Sequence, residues 1–193
     1  MENVVDLAQS FGAGEHVAFS PAHAELLFVG SLGVAVMDLG GRFLDSCWMR
    51  ERPVIVGPVS RVVASQRTQD GWQFLYREAD GLKNCRLANG KLVETAVQPA
   101  VDDVTGAAWR PCGRYLALAL RDAGIEVVDV SDGTRKMRAC LDVRGVCEPP
   151  HAHRLAGWSA EGDAIVSVVE MIGLTLTVVW NAFRGGIRTV LES

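Results

Sequence analysis

The chain has 193 residues, of which 49% are hydrophobic and 22% are charged, and its formal net charge is −4. This balance is typical of a globular protein with a well-filled core, and it excludes a disordered or collagen-like chain. A net negative charge gives no long-range attraction for phosphate groups, so the sequence does not favour nucleic acid as a partner.

The cysteines, the N-terminal charges and the apolar stretches indicate whether the protein is intracellular and whether it spans a membrane. Five cysteines are odd in number and fall at no common interval, which favours free thiols in a reducing compartment over a disulfide framework. Glu2 and Asp6 stand where a secretory signal would be positively charged. The most apolar stretch, Ala164 to Trp180, contains Glu170 and is predicted to form two strands rather than a membrane helix. We therefore expect an intracellular protein, cytoplasmic or nuclear, with no membrane span.

In chain order, the predicted elements are one short N-terminal segment and then strands separated by turns. Asn3 to Phe11 could form a short helix, although Val4 to Leu7 would equally suit an added strand. Gly12 and Gly14 predict a turn. Short apolar or β-branched runs bounded by Gly, Pro, Asp or Asn then predict strands. These predicted strands are Val17 to Phe19, Leu26 to Gly30, Val34 to Leu39, Arg42 to Trp48, Ser60 to Ser65, Trp72 to Tyr76, Leu82 to Leu87, Val104 to Trp109, Arg114 to Leu120, Ile125 to Val130, Thr134 to Leu141, Arg154 to Trp158, Asp163 to Val169, Leu174 to Asn181 and Gly186 to Leu191.

The strands fall into four repeats of similar length. Phe19, Trp109 and Trp158 occupy the same place near the start of a repeat, and Ala64 occupies it in a degenerate second repeat. The spacings between these positions are 45, 45 and 49 residues. A fixed period above forty residues predicts stacked or radially arranged units, each one a small antiparallel sheet.

These repeats resemble the WD-repeat β-propeller family. The matching first turns are Phe19-Ser20-Pro21, Trp109-Arg110-Pro111-Cys112-Gly113 and Trp158-Ser159-Ala160-Glu161-Gly162. Met37-Asp38-Leu39, Val128-Asp129-Val130 and Trp180-Asn181-Ala182 stand where the family places its Trp-Asp pair. The second repeat has Cys85-Arg86 there, and no repeat combines a Gly-His pair with a Trp-Asp pair, so the family's buried polar network is expected to be missing or replaced.

The resemblance implies an all-β, propeller-like array of four four-stranded antiparallel sheets, which we call blades 1 to 4. We predict a single domain over residues 1–193. Its blades span about 15–50, 58–98, 104–141 and 153–191, after an N-terminal arm at 1–14. Four blades are fewer than the family usually has. The array could close into a small ring, pair with a second copy, or be completed by another protein that covers its exposed apolar faces.

The predicted function depends on which side chains such an array exposes on its surface. Trp109, Trp158 and Trp180 fit the core, whereas Trp48, beside Met49, would suit an anchor for a partner or could be covered within the chain. The basic run Arg135 to Arg138 would serve solubility or dock an acidic partner. We expect a non-catalytic interaction scaffold or complex subunit without a cofactor, whose protein partner could be a second copy or a larger complex. The candidate partner-binding residues are Trp48, Arg50, Arg52, Asp102, Asp103, His151 and His153.

One alternative function comes from the connection before the fourth repeat. Cys147, His151 and His153 offer thiolate and imidazole ligands of the type that zinc prefers. The alternative is therefore a metal-binding enzyme or sensor that uses this loop. Because the spacing matches no established ligand pattern, a loop stiffened by Pro149 and Pro150 explains the segment equally simply.

Overall fold

The computed structural model describes residues 7–49, 62–78, 81–97, 104–141 and 152–192, which contain one short helix and sixteen strands. No helix in these ranges is long and apolar enough to cross a membrane. The elements are α1 (Leu7–Phe11), β1 (Gly14–Ser20), β2 (Glu25–Gly30), β3 (Gly33–Asp38), β4 (Phe43–Trp48), β5 (Val62–Thr68), β6 (Gly71–Glu78), β7 (Gly81–Ala88), β8 (Lys91–Val97), β9 (Val104–Trp109), β10 (Tyr115–Leu120), β11 (Gly124–Asp129), β12 (Arg135–Cys140), β13 (Ala152–Trp158), β14 (Ala164–Met171), β15 (Leu174–Asn181) and β16 (Ile187–Glu192).

The strands form four separate antiparallel sheets, each made of four strands that follow one another in the chain. β1 to β4 form blade 1, β5 to β8 blade 2, β9 to β12 blade 3 and β13 to β16 blade 4. The predicted all-β class with four four-stranded sheets is thus confirmed. At the N-terminus the helical alternative is the one observed, over Leu7–Phe11, while Val4 to Asp6 lie outside the described residues.

The repeats share a structural irregularity as well as a period. Where the third strand pairs with the fourth, the register shifts just before the second-last residue of the third strand, and so close to its last residue, in blades 1, 3 and 4. That last residue bonds to an arginine in each case, and the heavy-atom distances are 3.1 Å for Asp38 to Arg42, 2.9 Å for Asp129 to Arg114 and 2.6 Å for Asn181 to Arg188. In these three blades an arginine therefore binds the end of the third strand, where the resemblance places a Trp-Asp pair.

Packing divides the chain into two compact units. The first holds blades 1 and 2, apart from residues 81–82 and 95–97. Its two blades meet through one apolar layer, because alternate side chains of each strand point to the same face. This layer includes Leu27, Val29, Val34 and Val36 of blade 1 and Trp72, Phe74, Tyr76, Cys85 and Leu87 of blade 2. A hydrogen bond of 2.8 Å between His16 Nε2 and Ser65 Oγ links their first strands.

The second unit holds blades 3 and 4, which pack against each other in the same way. Their first strands are joined where the Trp158 indole N–H donates to the Ala108 carbonyl, over 2.8 Å. The shared layer includes Ala117, Ala119, Ile125, Val127 and Met137 of blade 3 and Ile165, Val169, Met171, Val178 and Trp180 of blade 4. Each large apolar side chain buried there stabilises the unit by about 1.5 to 3 kcal/mol.

Candidate functional site

Blade 1 has a second face, which points away from blade 2. Leu27 and Val29 pack toward blade 2, so their neighbours Leu26 and Phe28 point to the other side of the sheet. The pairing of β1 with β2 places Phe19 opposite Leu26 and Val17 opposite Phe28. Through β3, the same face continues to Phe43 and Trp48 in β4. We call this surface the outward face of blade 1.

Helix α1 covers one part of the outward face. Phe11 is buried there with Phe28 and Ala35, and its ring centroid lies 5.3 Å from Trp48 and 5.9 Å from Phe43. Backbone bonds fix the helix end, since the Leu32 amide donates to the Phe11 carbonyl over 2.9 Å. The helix therefore supports one side of an aromatic cluster whose other side is open.

Glycine at position 33 permits this close approach. A Cβ on Gly33 would stand 2.6 Å from Cδ1 of Phe11 and 3.0 Å from the Cys47 carbonyl oxygen, and its backbone is not in the left-handed region. Glycine is therefore required at this position because there is no space for a Cβ, and not because of the backbone conformation.

We expect Gly33→Ala to lower the free energy of unfolding by about 1 to 3 kcal/mol, since overpacking must displace Phe11 or the sheet. Chemical denaturation measures the loss. Gly106→Ala is the matched control, because its Cβ would meet its nearest neighbour at an ordinary 3.4 Å. Equal stability of the two variants would show that Phe11 does not occupy this place.

The outward face leaves four large apolar side chains in solvent. Val17 is 63% exposed, Phe19 51%, Phe43 44% and Trp48 65%. Phe19 occupies the place that Trp158 occupies in blade 4, because Phe19 pairs with Leu26 as Trp158 pairs with Ile165. Trp158 lies against blade 3, the blade that precedes it, and donates to its backbone. Phe19 therefore points to the side where a preceding blade would lie.

The structure locates two of the seven candidate partner-binding residues. Trp48 stands on the outward face, with Phe11 beside it and most of its side chain in solvent. His153 is 1% exposed and belongs to strand β13, so as placed it offers no surface to a partner. The other five lie outside the described residues, namely Arg50, Arg52, Asp102, Asp103 and His151.

His153 is held inside the second unit by the backbone. Its Nδ1 lies 2.8 Å from the Leu120 carbonyl oxygen, while its Nε2 is buried with no hydrogen-bond partner among the described residues. Burial lowers the pKa of the imidazole, although the bond to Leu120 opposes this effect. Cys147 and His151 are outside the described ranges, within which no group of three His, Cys, Asp or Glu side chains could hold a metal ion.

Blade 3 contains a charge cluster that the sequence did not predict. The basic run of β12 pairs with acids of its own blade, and two of those carboxylates, Glu126 and Asp129, are fully buried. Arg135 and Arg138 approach Glu126 Oε1 at 3.1 and 3.2 Å, and Arg114 approaches Asp129 Oδ2 at 2.8 Å. The pairing of β11 with β12 brings Arg135 and Arg138 to Glu126, whereas Arg114, just before β10, reaches Asp129 through the pairing of β10 with β11. These cations are partnered within the blade.

Asp129 gives the fold a dependence on acid pH. Burial opposes its ionisation, but hydrogen bonds from Arg114 and Ser131 and the charge of Arg114 outweigh it and lower the pKa of Asp129 from 3.8 to about 2. A carboxyl group with a lowered folded-state pKa stabilises the fold above its unfolded pKa, and this stabilisation is lost as the pH falls toward the folded value.

We therefore expect the stability advantage of the wild type over Asp129→Asn to be constant above pH about 4 and to shrink between about 4 and about 2. Urea unfolding at a series of pH values measures it. Asp70→Asn, at an exposed acid, is measured at the same pH values as the control for a carboxylate-to-amide change outside this cluster. A constant difference across the acid range would contradict the role given to Asp129.

Comparison with known proteins identifies the architecture. No protein-family model matches the sequence, and no curated protein matches it. Among solved structures, KlHsv2 with loop 6CD replaced by a Gly-Ser linker is 16% identical with a TM-score of 0.61, and the alignment covers 91% of this chain and 57% of that one. The β-propeller domain of Cps50 (Swd1) from Myceliophteria thermophila is 9% identical with a TM-score of 0.61, and the alignment covers 92% of this chain and 58% of that one.

At these identities the likeness shows the fold alone, and the fold is that of a β-propeller. The predicted propeller architecture is confirmed. The chain spans less than two thirds of the length of either structure.

Proposed function

We propose that this chain is a non-catalytic interaction subunit inside the cell, a degenerate relative of the WD-repeat propellers. In this proposal a protein partner, either a second copy or another component of a complex, covers the outward face of blade 1 and completes the propeller. The observation that carries it is the exposure of Phe19. At the equivalent position of blade 4, Trp158 packs against the preceding blade and donates to its backbone, whereas Phe19 is half exposed.

The energetics of the outward face support a partner. A contiguous cluster of exposed large apolar side chains is uncommon on a monomeric soluble protein and is typical of an interaction surface. Aromatic residues such as Phe19 and Trp48 are the side chains that contribute most at the centre of interfaces. The opposite face of blade 1 is also apolar, but its side chains are buried against blade 2.

The predicted recognition loops complete the proposal. Arg50 and Arg52 follow Trp48 in the chain, and we propose that they extend the surface around it. Asp102, Asp103 and His151 lie in connections between repeats, where loops on a rigid propeller present recognition residues. His153, buried in β13, is not part of the proposed surface.

A double substitution tests this function. We expect Phe19→Glu with Trp48→Glu to reduce the amount of partner that co-purifies with the tagged chain at least about tenfold, because burying carboxylates in an apolar interface is costly. Quantitative mass spectrometry gives the partner ratio, and light scattering of the purified chain distinguishes a second copy from another protein.

Ile172→Glu is the matched control. Ile172 is 67% exposed in the turn between β14 and β15, so the same change there should leave the partner ratio unchanged. A wild-type chain that purifies alone as a monomer, or a double variant that keeps its partner, would contradict the proposed function.

A further inference from the structure

A cleft opens within the first unit, between blades 1 and 2. Its volume is about 270 Å³, and its lining comes from β2, β3 and β4 of blade 1 and from β5, β6, β7 and the β5–β6 and β7–β8 turns of blade 2. This volume is just below the range of about 300 to 1,000 Å³ in which small-molecule sites fall. The cleft is therefore better matched to one inserted side chain than to a cofactor.

The cleft is apolar along part of its wall. Leu44 of β4 and Leu87 of β7 line it with Val36 and Trp72, and Trp72 is only 3% exposed. Such a wall suits the methylene stem of a long side chain, which can bury its carbon atoms while its charged end remains near water.

The described residues that line the cleft include more acidic than basic side chains. Among the described residues the cleft's one cation is Arg67, which is bound by Glu25, with Nε at 2.7 Å from Oε2, and both side chains are largely buried. The Trp72 indole N–H donates to the same Glu25 oxygen over 3.1 Å. Arg67 and Glu25 therefore neutralise each other.

Two further acids of the lining, Asp45 and Asp70, have no ion-pair partner among the described residues. Asp45 Oδ1 accepts the Gly90 amide over 2.6 Å, which fixes that carboxylate at the cleft. Asp70 stands exposed in the β5–β6 turn. The cleft therefore presents net negative charge beside an apolar wall.

We propose that this cleft binds one arginine or lysine side chain from a segment of a protein partner. The aliphatic stem lies along Leu44 and Leu87, and the cationic end meets Asp45 and Asp70. Complementary charge selects against acidic and neutral side chains of the same length. This inference rests on the proposed function in supposing a protein partner, but it concerns a site distinct from the outward face.

The test uses two blocked pentapeptides, in which alanines flank either a central arginine or a central citrulline, the neutral isostere. We expect the arginine peptide to shift the NMR signals of the Trp72 indole N–H and the Gly90 amide, with a dissociation constant on the order of 1 mM. Citrulline should bind at least about fivefold more weakly, and raising the salt from about 0.05 to about 0.5 M should weaken the arginine peptide severalfold.

Two charge-reversal variants complete the design. Asp70→Lys should weaken the arginine peptide at least about tenfold, whereas Glu161→Lys, the same change at an exposed acid of blade 4, should leave binding unaltered. Equal effects of the two variants, equal binding of the two peptides, or no shift at about 10 mM peptide would overturn the proposal.

The outcome separates this site from the proposed function. Phe19→Glu with Trp48→Glu should leave the arginine peptide titration unchanged, because both residues lie on the other face of blade 1. If the peptide fails to bind while the partner still depends on the outward face, only the cleft proposal is wrong.

Discussion

Replacing Trp180 by alanine should lower the free energy of unfolding by about 4 kcal/mol, the largest loss that we expect from one substitution. Its side chain is fully buried in the layer between blades 3 and 4. The substitution removes a large apolar surface, leaves a cavity, and deprives the Ser167 hydroxyl of the indole N–H that donates to it over 2.8 Å.

Trp48→Ala is the matched control for this prediction. The same side chain is removed from a position that is 65% exposed, and the loss should be about 1 kcal/mol or less. Urea unfolding of both variants measures the two values. If Trp48→Ala destabilises the chain as much as Trp180→Ala, the outward face is covered within the chain and the account of blade 1 is wrong.

Removing both arginines that face Glu126 should cost about 3 kcal/mol. The Glu126 carboxylate is fully buried, one of its oxygens has no partner among the described residues, and Arg135 and Arg138 supply its positive partners at 3.1 and 3.2 Å. The double variant Arg135→Ala, Arg138→Ala leaves a buried charge without compensation. Chemical denaturation gives the loss.

A rescue separates charge from packing in this prediction. Adding Glu126→Leu to the double variant should restore most of the lost stability, because no buried carboxylate is then left without its arginine partners. Arg42→Ala is the control for an exposed pair, since Arg42 is 77% exposed beside Asp38, and should cost less than about 1 kcal/mol. A double variant that loses no more than Arg42→Ala, or a triple variant no more stable than the double, would contradict this account of the cluster.

The sequence predicts the blades well because each blade is a local structure. Its strands are neighbours in the chain, so turn residues and apolar runs mark them directly, and most predicted boundaries lie within a few residues of those observed. The resemblance to propellers rested on the same local features.

Exposure at a repeated position could not be predicted, because it depends on which blade lies next to it. Phe19 and Trp109 occupy the same place in their repeats, yet Phe19 is half exposed and Trp109 is 7% exposed. Trp72 likewise is 3% exposed because it packs in the apolar layer between blades 1 and 2, where its indole N–H donates to Glu25 of blade 1, 47 residues away. The residue pattern of a single repeat therefore does not indicate which of its side chains another blade will cover.

The most direct test of the central claim is to compare the labelling of Phe19 and Trp48 in two preparations by hydroxyl-radical footprinting. One preparation is the dilute purified chain, and the other is the assembly proposed above, isolated from the cells that express the chain. A partner on the outward face predicts strong labelling of both residues in the isolated chain and protection of both in the assembly, with Ile172 labelled equally in each. Equal labelling of Phe19 and Trp48 in the two preparations would contradict the claim that a partner covers blade 1.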